Sequence, residues 1–93
     1  MTGIYKIRVQ QPKIPENADV ILTRHAELRR NERHISMDEI KDTMIRPEVT
    51  FMYKNGALKS ISKIEGREIK VVFKNIEKGV LIITVSSHKL LRT

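Results

Sequence analysis

With 93 residues the chain has room for one domain and one core, and 40% hydrophobic residues is enough to build it, which excludes a wholly disordered protein. Its 18 Lys and Arg against 11 Asp and Glu give a formal charge of +7, a balance that favours nucleic acid or an acidic protein as partner. Cysteine is absent, which excludes disulfides and thiolate metal sites. The start, Met1–Lys6, lacks the apolar run of a signal peptide, and no stretch approaches the ~20 apolar residues that span a bilayer, so a soluble cytoplasmic protein without membrane contact is expected. His25, His34 and His88 lack the close spacing of a zinc motif, and no metal or cofactor is expected.

Ile4–Val9 mixes β-branched and aromatic residues and reads as a strand that adds to an edge. Gln10–Ala18 holds Pro12 and Pro15 and no periodic apolar pattern, so it is a connecting loop. Val20-Ile21-Leu22 reads equally as strand or helix. Asp19 and Thr23 are both suitable helix caps; Thr23 is favoured, and the helix then runs from about Arg24 to Arg33. At 3.6 residues per turn His25, Arg29 and Arg33 fall on one stripe, with Leu22 one turn before them. Like charges four residues apart cost an isolated helix a few tenths of a kcal/mol per pair, so a polyanion or nearby carboxylates are needed to make the stripe favourable. His34 stands where a helix often ends in a left-handed glycine. Ser36 with Glu39 three residues on is the pattern of a capping box and opens a second helix, whose apolar side is Ile40, Met44 and Ile45. Pro47 forces Arg46 toward an extended conformation and ends it.

From Val49 the period changes to two. Val49–Tyr53 and Leu58–Ile64 read as strands joined at Asn55-Gly56, for which a type I′ turn is expected. Glu65-Gly66 supplies a second tight turn before Arg67–Lys74, where Arg67, Ile69, Val71 and Phe73 share a face and Glu68, Lys70 and Lys74 share the other. After a turn at Asn75–Gly79, the apolar run from Val80 to Ser86 or beyond suits the middle of a sheet. The order predicts an α+β fold in which a helical hairpin packs on a four-stranded antiparallel meander, with the N-terminal strand as an addition. The single domain, 1–93, divides into strand and loop (1–20), helical hairpin (21–46) and sheet (49–88). The expected core is Leu28, Ile35, Ile40, Ile45, Phe51, Ile69, Val71, Phe73, Leu81, Ile83 and Val85. Tyr5, Phe51, Tyr53 and Phe73 are the only aromatics, too few for a wide base-stacking platform.

If Leu81, Ile83 and Val85 face the helices, then Thr84, Ser86 and His88 face the other way, provided no bulge intervenes; His88 also lies close enough to Thr93 to begin a frayed tail. Metal-independent RNA cleavage needs a base for the 2′-hydroxyl proton, an acid for the leaving 5′-oxygen and cations on the phosphate. Histidine suits the first two and arginine the third. Lys59 and Lys63 share a strand face around Ile61, where lysines either solvate a surface or hold phosphate. Composition alone leaves open whether these groups make a nuclease or a basic binding surface.

The segment from Thr23 to Ile40 resembles the signature of a family of small domains of unassigned function, carried here by His25, Ala26, Arg29, Arg33, Ile35, Ser36 and Glu39. A final strand with Ile83-Thr84-Val85 extends the resemblance over about Ile21 to His88. Arg30 stands where the pattern has methionine and His34 where it has glycine. That family in turn resembles the RelE/BrnT-like toxins, which the resemblance implies to be metal-independent ribonucleases of toxin-antitoxin pairs. It implies 2′-hydroxyl attack on the phosphate, with RNA as substrate and an acidic antitoxin as partner. By resemblance and strand parity together, His25, His88 and Arg29 are the candidate catalytic residues, and Arg33, Lys63, Arg67, Thr84 and Ser86 the candidate phosphate or RNA contacts. The alternative is a non-catalytic basic module that binds nucleic acid or protein.

Overall fold

The computed structural model describes residues 6–10, 13–15 and 17–90. Along the chain it contains β1 (Lys6–Val9), β2 (Asp19–Leu22), α1 (Arg24–Glu32), α2 (Met37–Ile45), β3 (Val49–Tyr53), β4 (Leu58–Ile64), β5 (Arg67–Ile76) and β6 (Gly79–Lys89). The strands form one sheet in the order β1-β3-β4-β5-β6-β2, antiparallel throughout except that β2 runs parallel to β6. The expected meander, β3 to β6, is therefore the centre of a six-stranded sheet and not the whole of it. Residues 6–9 add at one edge beside β3 as expected; Ile4, Tyr5 and Pro12 lie outside the described residues.

The other edge corrects the sequence reading. Asp19–Leu22 is a strand, so the helical hairpin begins after Thr23 and not at 21. Val20 and Leu22 choose the strand because there they pack against the core. Gly79 makes room for it: a Cβ at that position would lie 2.2 Å from the carbonyl oxygen of Asp19 on the neighbouring strand.

The helix ends follow their sequence signals. The Thr23 hydroxyl accepts from the Ala26 N–H (3.1 Å) and caps α1. At the other end His34 has φ 54°, its N–H donates to the Asn31 carbonyl, and the Ile35 N–H donates to the Arg30 carbonyl, which is a Schellman closure with histidine in the place glycine favours. Ser36 and Glu39 form the reciprocal capping box of α2. The turns divide differently from expectation. Gly56 alone in the β3–β4 turn has positive φ (91°), and the Gly56 N–H donates to the Tyr53 carbonyl, so this is a type I turn followed by a left-handed glycine. The type I′ geometry belongs to Glu65-Gly66 (φ 50° and 79°).

Both helices pack on one face of the sheet, α1 over β6 and β2, α2 over β4 and β5. The core between them is built from Ala26, Ile35, Ile40 and Met44 on the helical side and Leu58, Ile69, Val71, Phe73, Val80, Ile82 and Val85 on the sheet. Five expected core positions differ: Leu28, Ile45, Phe51, Leu81 and Ile83 are not fully buried. Leu28 is 56% exposed, because α1 turns only Ala26 fully inward. Leu81 and Ile83 give way to Val80 and Ile82. The reason is a β-bulge: Val72 pairs with Thr84 and Phe73 with Ile82, leaving Ile83 without a partner on β5 and shifting the parity of β6 at that point. Thr23 holds the bulge, its hydroxyl donating to the Ile83 carbonyl (2.9 Å) and its N–H to the Ile82 carbonyl (3.0 Å). Ile45 and Phe51 are half-buried. Towards β3 the covered face turns polar, with buried hydroxyl pairs Thr43–Ser62 (2.7 Å) and Thr50–Ser60 (3.1 Å) that satisfy one another.

Candidate nucleic-acid interface

Among the described residues no helix lies on the second face of the sheet. Side chains directly opposite one another on paired strands share a face, so the register fixes what this open face presents. At one end Lys63, Glu68 and His88 stand side by side on β4, β5 and β6. The next row is Val49, Ile61, Lys70 and Ser86. Beyond it come Arg8, Phe51, Lys59, Val72 and Thr84, and then Lys74 beside Leu81 and Ile21. The face is thus half-buried and apolar at its middle, and studded with cations.

Glu68 organises the first two rows. Its Oε1 lies 3.5 Å from His88 Nε2 and 3.6 Å from Lys70 Nζ, so one carboxylate oxygen holds an imidazole and an ammonium together. The Glu68 and Lys70 side chains are 23% and 33% exposed and His88 57%, an arrangement open to a ligand from the solvent side. The strand does not fray before His88: β6 stays paired to Lys89, and the Leu90 N–H donates to the Gly66 carbonyl. Lys63 reaches Glu48 at 3.9 Å, and Lys59 Nζ stands 6.0 Å from the centre of the Tyr53 ring.

The candidate residues from the sequence fall into two groups with the sheet between them. Lys63, Thr84, Ser86 and His88 are on the open face. His25, Arg29 and Arg33 are on α1 and its C-cap, on the helical side, where Arg29 pairs with Glu32 at 3.6 Å. The structure does not bring His25 and His88 into one cleft. Arg67 points to the helical side with Ile69 and Val71 and forms an ion pair with Glu39 of α2, so it ties sheet to helix. Burial pushes the Glu39 carboxyl up, but the Ser36 N–H and the Arg67 guanidinium outweigh it and hold the group below its ordinary pKa.

Sequence reasoning left Glu68, Lys70 and Lys74 as an unassigned strand face. Strand parity had already placed them opposite the core; what it lacked was the register, which the bulge at Ile83 sets by putting His88 across from Glu68. A groove of about 400 Å³ bounded by Pro15, Ala18 and the turn from Asn75 to Val80 contains none of the candidate residues. Among the described residues no three His, Asp or Glu side chains converge as a metal site, and no helix is long and apolar enough to cross a membrane.

The class defined by these features is a basic α+β domain with two helices on one face of a mixed sheet and a charged, uncovered second face. The chain belongs to the DUF4258 family, a domain of unknown function whose profile matches residues 22–86. No curated protein and no solved structure matches it.

Proposed function

We propose that the protein is a metal-independent endoribonuclease whose working surface is the open face of the sheet. The observation that carries the reading is the group around Glu68, where one carboxylate oxygen positions His88 and Lys70 beside Ser86 on an uncovered, cationic surface. The imidazole of His88 takes the proton of a 2′-hydroxyl, and that oxygen attacks the adjacent phosphorus. Lys70 meets the charge that grows on the phosphoryl oxygens. Lys63, in the same row across Glu68, gives a proton to the departing 5′-oxygen, leaving a 2′,3′-cyclic phosphate and a 5′-hydroxyl. Glu68 orients the imidazole and stabilises it once charged. His25, Arg29 and Arg33, on the other side of the molecule, stay outside this scheme.

The toxin-antitoxin role rests on the resemblance of the sequence to RelE/BrnT-like proteins. On this reading the partner that silences the enzyme is acidic and covers the open face. The test is incubation of the pure protein with RNA in EDTA. Cyclic-phosphate ends that disappear in His88→Ala and Glu68→Gln support the proposal. Intact RNA at high protein excess overturns it, and loss of cleavage in His25→Ala with His88→Ala still active moves the chemistry to the helical side.

A second reading, a non-catalytic RNA-binding module, draws on the fact that His88 is the one imidazole on the open face, with His25 on α1 and His34 in its C-terminal turn. It expects salt-dependent RNA binding without cleavage.

A further inference from the structure

The four lysines of the open face are not scattered. Lys59 and Lys63 flank Ile61 on β4, and Lys70 and Lys74 flank Val72 on β5. The register sets Ile61 opposite Lys70 and Lys59 opposite Val72, so the two pairs interleave. Read along the strands, the order is Lys63, Lys70, Lys59, Lys74, one lysine at each successive level and alternating between two neighbouring strands. Each level is two residues of strand, roughly 6.7 Å, and the whole ladder is about 20 Å long. It starts beside Glu68 and His88.

None of these four ammonium groups has a close ion pair among the described residues. Lys63 faces Glu48 at 3.9 Å in an exposed pair, of a kind that contributes ~0–1 kcal/mol and that a phosphate can displace, and the half-buried Lys70 stands 3.6 Å from Glu68, beyond hydrogen-bond distance. The ladder is straight, apart from the twist of the sheet. A strand in a B-form duplex carries a phosphate about every 3.4 Å of axis and winds away from any line. A straight ladder about 20 Å long therefore follows a winding duplex strand over only part of its length, whereas an extended single strand lies along all four lysines.

We infer that the Lys63–Lys70–Lys59–Lys74 ladder is a binding track for an extended single strand of nucleic acid, one lysine per phosphate. The strand runs parallel to β4 and β5, its end at Lys63 and Lys70 lying beside Glu68 and His88. This deepens the proposed function by naming the substrate class as single-stranded and fixing the direction in which it lies. It rests on that reading for the identity of the face, but not for any chemistry there. Recognition by the ladder is through phosphate alone and carries no base preference.

The experiment separates the two. A labelled single-stranded 2′-O-methyl RNA hexamer, which cannot be cleaved, and a 12-base-pair RNA duplex are titrated with the full-length protein across a salt series. Counterion release predicts a slope of log K against log salt of about −0.7 per phosphate held on a single strand, so about −2.8 for the four-lysine track. Each of Lys59→Gln, Lys63→Gln, Lys70→Gln and Lys74→Gln should flatten the slope by about 0.7, and Lys41→Gln, on the exposed side of α2, should not. Duplex binding as tight as single-strand binding overturns the inference, as does a slope that the four substitutions leave unmoved. Tight single-strand binding by a protein that never cleaves RNA supports the inference and removes the nuclease reading.

Discussion

The two faces of the sheet are made from alternate residues of the same strands, yet they have opposite chemistry. On β5 the covered side presents Ile69, Val71 and Phe73, all fully buried, and the open side presents Glu68, Lys70, Val72 and Lys74. The covered side is closed in both polar and apolar terms: its hydroxyls pair with one another, and Arg67 is held by Glu39. The open side keeps its charges within reach of solvent. A chain this small has one face to spend on stability, and the other is available for a ligand. On α1 the charge is relieved in part by local pairs, Arg29 with Glu32 and its neighbour Arg30 with Glu27, each at 3.6 Å, while Arg33 of the stripe stays at the exposed C-cap.

The sharpest way to break the comparison is to exchange neighbours across it. Phe73→Ala should destabilise by about 3–5 kcal/mol, seen as a large fall in the urea midpoint. Lys74→Ala, one residue on, should change stability by less than about 0.5 kcal/mol while weakening RNA binding. Equal effects of the two on stability would end the distinction between faces. Thr23→Val comes next. It removes the α1 cap and the donor to the bulged Ile83 carbonyl, and should cost about 1–3 kcal/mol.

Arg30 and His34 test whether the helical side holds anything but structure. Arg30 lies one turn after buried Ala26, and its Nε is buried without a hydrogen-bond partner. Arg30→Met should therefore stabilise by about 1 kcal/mol in chemical denaturation with RNA affinity unchanged; a loss of affinity would assign Arg30 to binding. His34→Gly should stabilise by a little less than about 1 kcal/mol by relieving the left-handed backbone, read as a rise of a few degrees in Tm. The smallest effect is on acid stability. Glu39 has a folded pKa below its unfolded one, so its contribution is complete above about pH 4.3 and is lost as pH falls through the folded value. Glu39→Gln should flatten stability against pH in that window, and an unchanged acid limb would place the acid-sensitive group elsewhere.

What the sequence made legible was local. Thr23, the Ser36–Glu39 box and the stop at Pro47 each act through bonds to residues three or four away, so α1 and α2 could be placed almost to the residue. What it hid was set at a distance. Asp19–Leu22 is a strand only because β6 lies beside it and Gly79 carries no side chain there. The bulge at Ile83 has no composition of its own, yet it exchanges Leu81 and Ile83 for Val80 and Ile82 in the core. It also leaves Thr84, Ser86 and His88 outward, so the sequence placed those three on the correct side while misplacing the residues before them. Asn55-Gly56 misled because a favourable turn pair permits type I′ without requiring it, whereas at Glu65-Gly66 the two-residue loop between Ile64 and Arg67 demands it.

The pairing of β2 with β6 has a consequence for how the chain folds. The meander closes through turns of a few residues, but the Thr23 hydroxyl meets the Ile83 carbonyl across 60 residues of chain. Loop-closure entropy favours the hairpins first, and β2 with the start of α1 is expected to dock late, onto a β6 already paired with β5. Substitutions at Thr23 or Gly79 should accordingly move the unfolding arm of a chevron plot and leave the refolding arm nearly in place, making this edge the part of the molecule that governs how long a folded chain survives.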